Sequence, residues 1–152
     1  MRIQDIMTAD PACCTPDMRL QDAARLMLDN DCGEIPVVAD SSSRRLVGVV
    51  TDRDIAIRGV AQGLSPTDTR VSDVMSSSVV TARLEDSADE ACELKEENQI
   101  RRIPVVDREG RCCGIVSQAD IALRSGEKEA GEVVRDVSRP SGPGSTSPHT
   151  RL

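Results

Sequence analysis

Residues 48–58, Gly-Val-Val-Thr-Asp-Arg-Asp-Ile-Ala-Ile-Arg, return as residues 114–124, Gly-Ile-Val-Ser-Gln-Ala-Asp-Ile-Ala-Leu-Arg. The match runs well beyond this stretch. A shift of 68 lays Asp5 on Asp73, Met7 on Met75, Ala23 on Ala91, Leu26 on Leu94 and Asn30 on Asn98. The same shift lays Ile35-Pro36-Val37-Val38 on Ile103-Pro104-Val105-Val106. Past Asp40-Ser41-Ser42-Ser43, which faces Asp107-Arg108-Glu109-Gly110, the shift becomes 66 and lays Asp54 on Asp120. A length change between two apolar runs belongs in a hairpin turn. A chain of 152 residues that carries one pattern twice is built to fold as two like units.

Each copy reads as the same run of elements. Ile3, Ile6 and Met7, and later Val71, Val74 and Met75, have the spacing of a short amphipathic helix. A short strand follows, Ala12 to Thr15 or Val79 to Ala82. Leu20, Ala23, Ala24 and Met27 then make one helical face. The matching face, Ala88, Ala91, Cys92 and Lys95, is less apolar, and Asp86 is its expected N-cap. A strand opens on Ile-Pro-Val-Val, with Pro at its start because Pro cannot donate to a ladder. A second strand ends at Thr51 or Ser117 and turns into a closing helix that stops near Gln62, before Gly63. Residues 63–70 link the halves. The expected boundaries are therefore 1–62 and 71–124 for the units. Ala130, Val133, Val134 and Val137 predict a helix over 125–138, and the Pro-, Ser- and Gly-rich residues 139–152 predict disorder.

Thr51 with Asp54, and Ser117 with Asp120, have the spacing of a capping box that uses Asp where Glu is usual. The same groups can hold a ligand instead, a phosphate at the free N–H groups and ribose hydroxyls on the carboxylate.

Composition removes other classes. Phe, Tyr and Trp are absent and the net charge is −7, so neither base stacking nor an electrostatic grip on nucleic acid is available. No apolar run resembles a signal peptide or is long enough to cross a bilayer, so a cytoplasmic protein without membrane attachment is expected. The only histidine is His149, in the tail, and no Walker-type loop or zinc-type Cys/His spacing occurs. Catalysis and a metal site are accordingly not expected. The six cysteines, Cys13, Cys14, Cys32, Cys92, Cys112 and Cys113, are read as reduced thiols packed as small hydrophobes. The adjacent pairs keep a redox role open.

The doubled order, with Asp-Ile-Met near the start, Ile-Pro-Val-Val in the middle and Gly-h-h-Thr/Ser-x-x-Asp-Ile at the end (h apolar), resembles the CBS domain. The chain resembles a tandem pair of them, a Bateman module, over residues 1 to about 124. The resemblance implies an α/β (α+β) fold of two units, each β-α-β-β-α with a short leading helix. It implies sheet-to-sheet packing about a pseudo-twofold axis, with clefts between the units. It also implies an adenine nucleotide (AMP, ADP or ATP, or else S-adenosylmethionine or NAD) as regulatory ligand, and no required cofactor. A homodimer, a disc of four units, and an unidentified protein partner are implied as well.

Residue by residue, the resemblance implies that Asp54 and Asp120 hold ribose and that Thr51 and Ser117 contact ribose or phosphate. Adenine would lie among aliphatic side chains near Cys13, Cys14, Val80 and Thr81, and Ile35, Pro36, Ile103 and Pro104 also belong to the implied nucleotide site. Arg101 and Arg102 would meet phosphate. The first copy has Gly33 and Glu34 at those two positions, so the copies are not expected to serve alike. The competing expectation is a ligand-free structural module that dimerises and docks a partner through exposed opening helices and the 130–137 stripe.

Overall fold

A computed structural model describes residues 1–124. The expected 125–138 helix and 139–152 tail lie outside the described residues.

The compact units cut across the sequence halves. Among the described residues, one contains residues 11–79, the other residues 1–10 together with 80–124. In the second, α1 (Ile3–Ile6) supplies Ile3 and Ile6 to a core with Ala82, Ala88, Ala91, Ile103, Val105, Val116 and Ile121. In the first, Val71 and Val74 join Cys14, Leu20, Ala23, Met27, Ile35, Val37 and Val50. The backbone bonds that hold the two openers correspond one to one. Ile3 N–H donates to Asp86 O and Gln4 N–H to Leu84 O, as Val71 N–H donates to Met18 O and Ser72 N–H to Pro16 O. Each opener thus completes the unit whose other elements come from the other half. The openers were expected as exposed docking helices. Their apolar faces are instead spent inside these cores, where Ile3, Ile6, Val71 and Val74 are buried, because removing apolar surface from water is favourable. The second opener is moreover a single 3₁₀ turn, Val71–Asp73.

The first unit contains α2 (Leu20–Asn30), the hairpin β2 (Glu34–Val38) and β3 (Leu46–Thr51), and the closing helix α3 (Asp52–Asp54). That helix continues as a π turn, Ile55–Gly59, and a 3₁₀ turn, Val60–Gln62, and ends at Gly63 with φ 77°. The expected strand 12–15 reduces to one bridge, Cys14 to Val37.

The second unit adds β1 (Thr8–Ala9), β4 (Ala82–Arg83), α4 (Ala88–Asn98), β5 (Arg102–Val106), β6 (Cys112–Ser117) and α5 (Gln118–Arg124). Its sheet order is β1-β6-β5-β4. The expected strand 79–82 is shorter and later, and β1 was not anticipated. The N-cap of α4 is Ser87, whose hydroxyl accepts from Glu90 N–H at 3.1 Å. Asp86 was expected there; it accepts from Arg83 N–H at 2.9 Å instead, closing the preceding turn.

Both hairpins carry a bulge at the same place, Val37/Val38 and Val105/Val106. The glycine of each repeated stretch has a steric reason. A Cβ on Gly48 would meet Ser76 O at 2.6 Å, and one on Gly114 would meet Met7 and Thr8 O. The openers cross the sheet there, as β1 pairs with β6 and Ser76 bridges Val49. None of the six cysteines forms a disulfide, and Cys14, Cys92 and Cys112 are buried.

Candidate functional site

The turn after β6 is a complete capping box. Asp120 N–H donates to Ser117 Oγ at 3.2 Å, while Ser117 N–H and Oγ donate to Asp120 Oδ2 at 3.0 and 3.1 Å. The remaining oxygen, Oδ1, accepts Thr8 Oγ1 at 2.9 Å from β1. Asp120 is only 8% exposed and Ser117 9%. A carboxylate offers about four lone-pair sites, so three donors leave Asp120 one open position, on Oδ1.

The turn after β3 has the same box and looser flanks. Asp54 N–H donates to Thr51 Oγ1 at 3.0 Å, and Thr51 N–H donates to Asp54 Oδ2 at 3.0 Å. Asp54 Oδ1 faces Arg58 Nε at 3.9 Å, an ion pair half in solvent.

Strand register brings the second unit's charged residues to its turn. Arg102 is paired with Ser117 across β5 and β6. Arg101, exposed, donates Nη1 to Gln118 Oε1 at 2.9 Å. The other amide atom, Gln118 Nε2, is buried with no partner. β4 runs parallel to β5, so Val80 and Thr81, both half-buried, enter the sheet from the end where Arg102 and Ser117 stand. Ile103 and Pro104 are buried behind them.

In the first unit the equivalent end is acidic. Glu34 is paired with Thr51, and Gly33 lies against the Asp52 carboxylate, which a Cβ would meet at 2.8 Å. Ile35 and Pro36 are buried. Cys14 is buried and bonded through its backbone to Pro36 and Val38. Burial, and then the charge of neighbouring Cys13, push the Cys14 thiol up to about 12. Cys13 is half-buried, with Arg44 Nη2 at 3.4 Å from its sulfur.

The roles of two residues escaped the sequence reading, one of them, Lys95, though it was placed on its helical face. Thr8 had a signal, since the shift of 68 lays it on Ser76 and so repeats a hydroxyl after each Met. Lys95 had a stronger one: it stands on Met27, a core position. It is fully buried, and Nζ donates to Arg101 O at 2.6 Å and Val116 O at 3.1 Å.

Among the described residues, no group of three or more His, Cys, Asp or Glu is arranged to hold a metal. No described helix is long and apolar enough to cross a membrane.

The family described as "CBS domain" matches residues 3–59 and 71–126. The CBS domain-containing protein YhcV of Bacillus subtilis (strain 168) is 39% identical over 137 residues, 90% of this chain and 94% of that protein. A crystal structure of Hypoxic Response Protein I with two coordinated zinc ions has a TM-score of 0.75 at 34% identity, covering 83% of this chain and 100% of its own. The CBS domain pair of MJ0100, solved with 5′-methylthioadenosine and S-adenosyl-L-methionine, has a TM-score of 0.72 at 26% identity, covering 84% and 98%. CBSX2 solved with AMP has a TM-score of 0.70 at 26% identity, also covering 84% and 98%.

Proposed function

This chain belongs to the CBS domain family as a tandem pair, and we propose that it is a regulatory module that takes a phosphate-bearing adenosine ligand at the Ser117–Asp120 turn. The observation that carries the reading is the meeting of Ser117, Asp120, Arg101 and Arg102 at one end of one sheet. Asp120 has an open acceptor position for a ribose hydroxyl. Two guanidiniums present the planar donor forks that suit phosphate. Val80 and Thr81, half-buried at that end, supply an edge for adenine, while Ile103 and Pro104 are buried in the packing behind them. That related pairs have been solved with AMP and with S-adenosyl-L-methionine supports an adenosine ligand. The arginines favour AMP, ADP or ATP over a cationic sulfonium. A regulatory response further requires that the ligand prefer one of two packing states, and a homodimer is the assembly we assign.

The test is a dye-based thermal melt of the whole chain with AMP, ADP, ATP, NAD and S-adenosylmethionine. A ligand at a hundred times its dissociation constant adds about 2.7 kcal/mol, several degrees for a chain of this size. The shift should vanish in Asp120→Ala, and light scattering on the same samples should give a dimer whose packing or size the ligand alters.

A second reading, a ligand-free structural module, is favoured by the acidic end of the first unit. Glu34, Asp52 and Asp54 gather there, with Gly33 in place of an arginine. It predicts that no nucleotide moves the melt.

A further inference from the structure

Lys95 lies on the inward face of α4 with Ala88, Ala91 and Cys92. Its side chain is fully buried, and its ammonium donates to the carbonyls of Arg101 and Val116. Those residues immediately precede Arg102 and Ser117, which are paired with each other. The ammonium therefore ties β5 to β6 directly behind the four residues of the candidate site. Burying a charge costs several kcal/mol before partners offset it. The fold does not demand that cost here. In the other unit the same position is Met27, which fills a like core with no charge.

We propose that Lys95 is the positioning and specificity-determining residue of the Ser117–Asp120 site. It fixes the strand ends that present Arg102 and Ser117, and it holds a positive potential beneath them that selects anionic over uncharged adenosine ligands. The unit of residues 11–79, with Met27, Gly33, Glu34 and Asp52, does not share that selection. The inference rests on the Ser117–Asp120 turn being a ligand site.

The experiment is calorimetric titration of the full chain, as wild type, Lys95→Met and Lys95→Gln, with ADP and with adenosine. Lys95→Met copies the residue of the other repeat, and Lys95→Gln keeps a donor toward the carbonyls while removing the charge. Lys95→Gln should bind adenosine within about twofold of wild type and ADP on the order of tenfold more weakly. Lys95→Met, which also loses the tie between the strand ends, should weaken both ligands, with ADP losing on the order of tenfold more than adenosine. That is the effect of one unit charge at about 10 Å through an effective dielectric of about 20. An ADP-to-adenosine ratio unchanged in both variants overturns the proposal. So does equal loss of both ligands in Lys95→Met with full rescue in Lys95→Gln, which assigns the residue a purely structural role. If the wild type binds neither ligand, the site reading itself has failed and this inference falls with it.

Discussion

Thr8 is the residue by which the opening segment touches the candidate site, and its removal separates stability from binding. Thr8→Val preserves shape and deletes only the hydroxyl that donates to Asp120 Oδ1 at 2.9 Å. A hydrogen bond to a charged group contributes about 1.5–3 kcal/mol. Thr8 itself is exposed, so water replaces part of the loss and the lower value, about 1.5 kcal/mol, is expected. For a chain of this length that is a fall of roughly 3–6 °C in melting temperature. The internal control is Ser76→Ala, the matching position. There Asp54 Oδ1 faces Arg58 at 3.9 Å instead, so a change within about 0.5 kcal/mol is expected. The melt should be paired with ADP titration. Thr8→Val frees a second acceptor position on Asp120, so affinity should hold or rise while stability falls. Equal destabilisation at positions 8 and 76 would refute the reasoning, as would an affinity that drops with stability.

The two crossing glycines and the buried thiol give further expectations. Gly48→Ala forces a Cβ against a backbone carbonyl, Ser76 O, whereas Gly114→Ala meets a flexible Met7 side chain and Thr8 O at 3.1 Å. Overpacking costs about 1–3 kcal/mol, and urea denaturation should show Gly48→Ala as the worse of the two. Cys14, held as a thiol to about pH 12 by burial and then by Cys13, should resist iodoacetamide at pH 8 in the native chain and react in urea, as read by peptide mass. The same shift fixes a sign. The native state keeps a proton that the unfolded thiol releases near pH 8.5, so this contribution is complete below that pH and declines as pH rises toward 12.

The repeat, the hairpins, the central helices and both Thr/Ser-x-x-Asp turns were legible because period and turn chemistry are local. The exchange of openers was not. Ile3 and Ile6 read as one apolar face whichever half they cover, and an alignment of two copies is unchanged when the copies trade a segment. β1 was hidden for a related reason: two residues, Thr8 and Ala9, carry no alternation, and their partners lie in Ile115 and Gly114. The cap of α4 went to Ser87 because Asp86 had a turn of its own to close. Of the site, the sequence showed the turns and the arginines. It did not show that Asp120 already has three donors, because one of them, Thr8, lies 112 residues away.

Where the two copies differ argues for divided roles. The core positions Ile35 and Ile103, Val37 and Val105, and Val50 and Val116 are identical, as packing requires. Four replacements stand apart: Met27 by Lys95, Gly33 by Arg101, Glu34 by Arg102, and Asp52 by Gln118. They come from a helix, a loop, a strand start and a turn, and each moves charge in the positive direction. In the second unit all four gather at one strand end, through Lys95 on Arg101 O, Arg101 on Gln118 and Arg102 opposite Ser117. At the same turn Arg53 is replaced by Ala119, and on the helix Arg25 and Leu28 by Glu93 and Glu96, which move charge the other way, so the argument rests on the buried Lys95, which drift in a solvated surface does not supply. A positive charge buried behind one strand end, and absent from the other copy, is what the proposed selection of a phosphate-bearing over a neutral ligand requires.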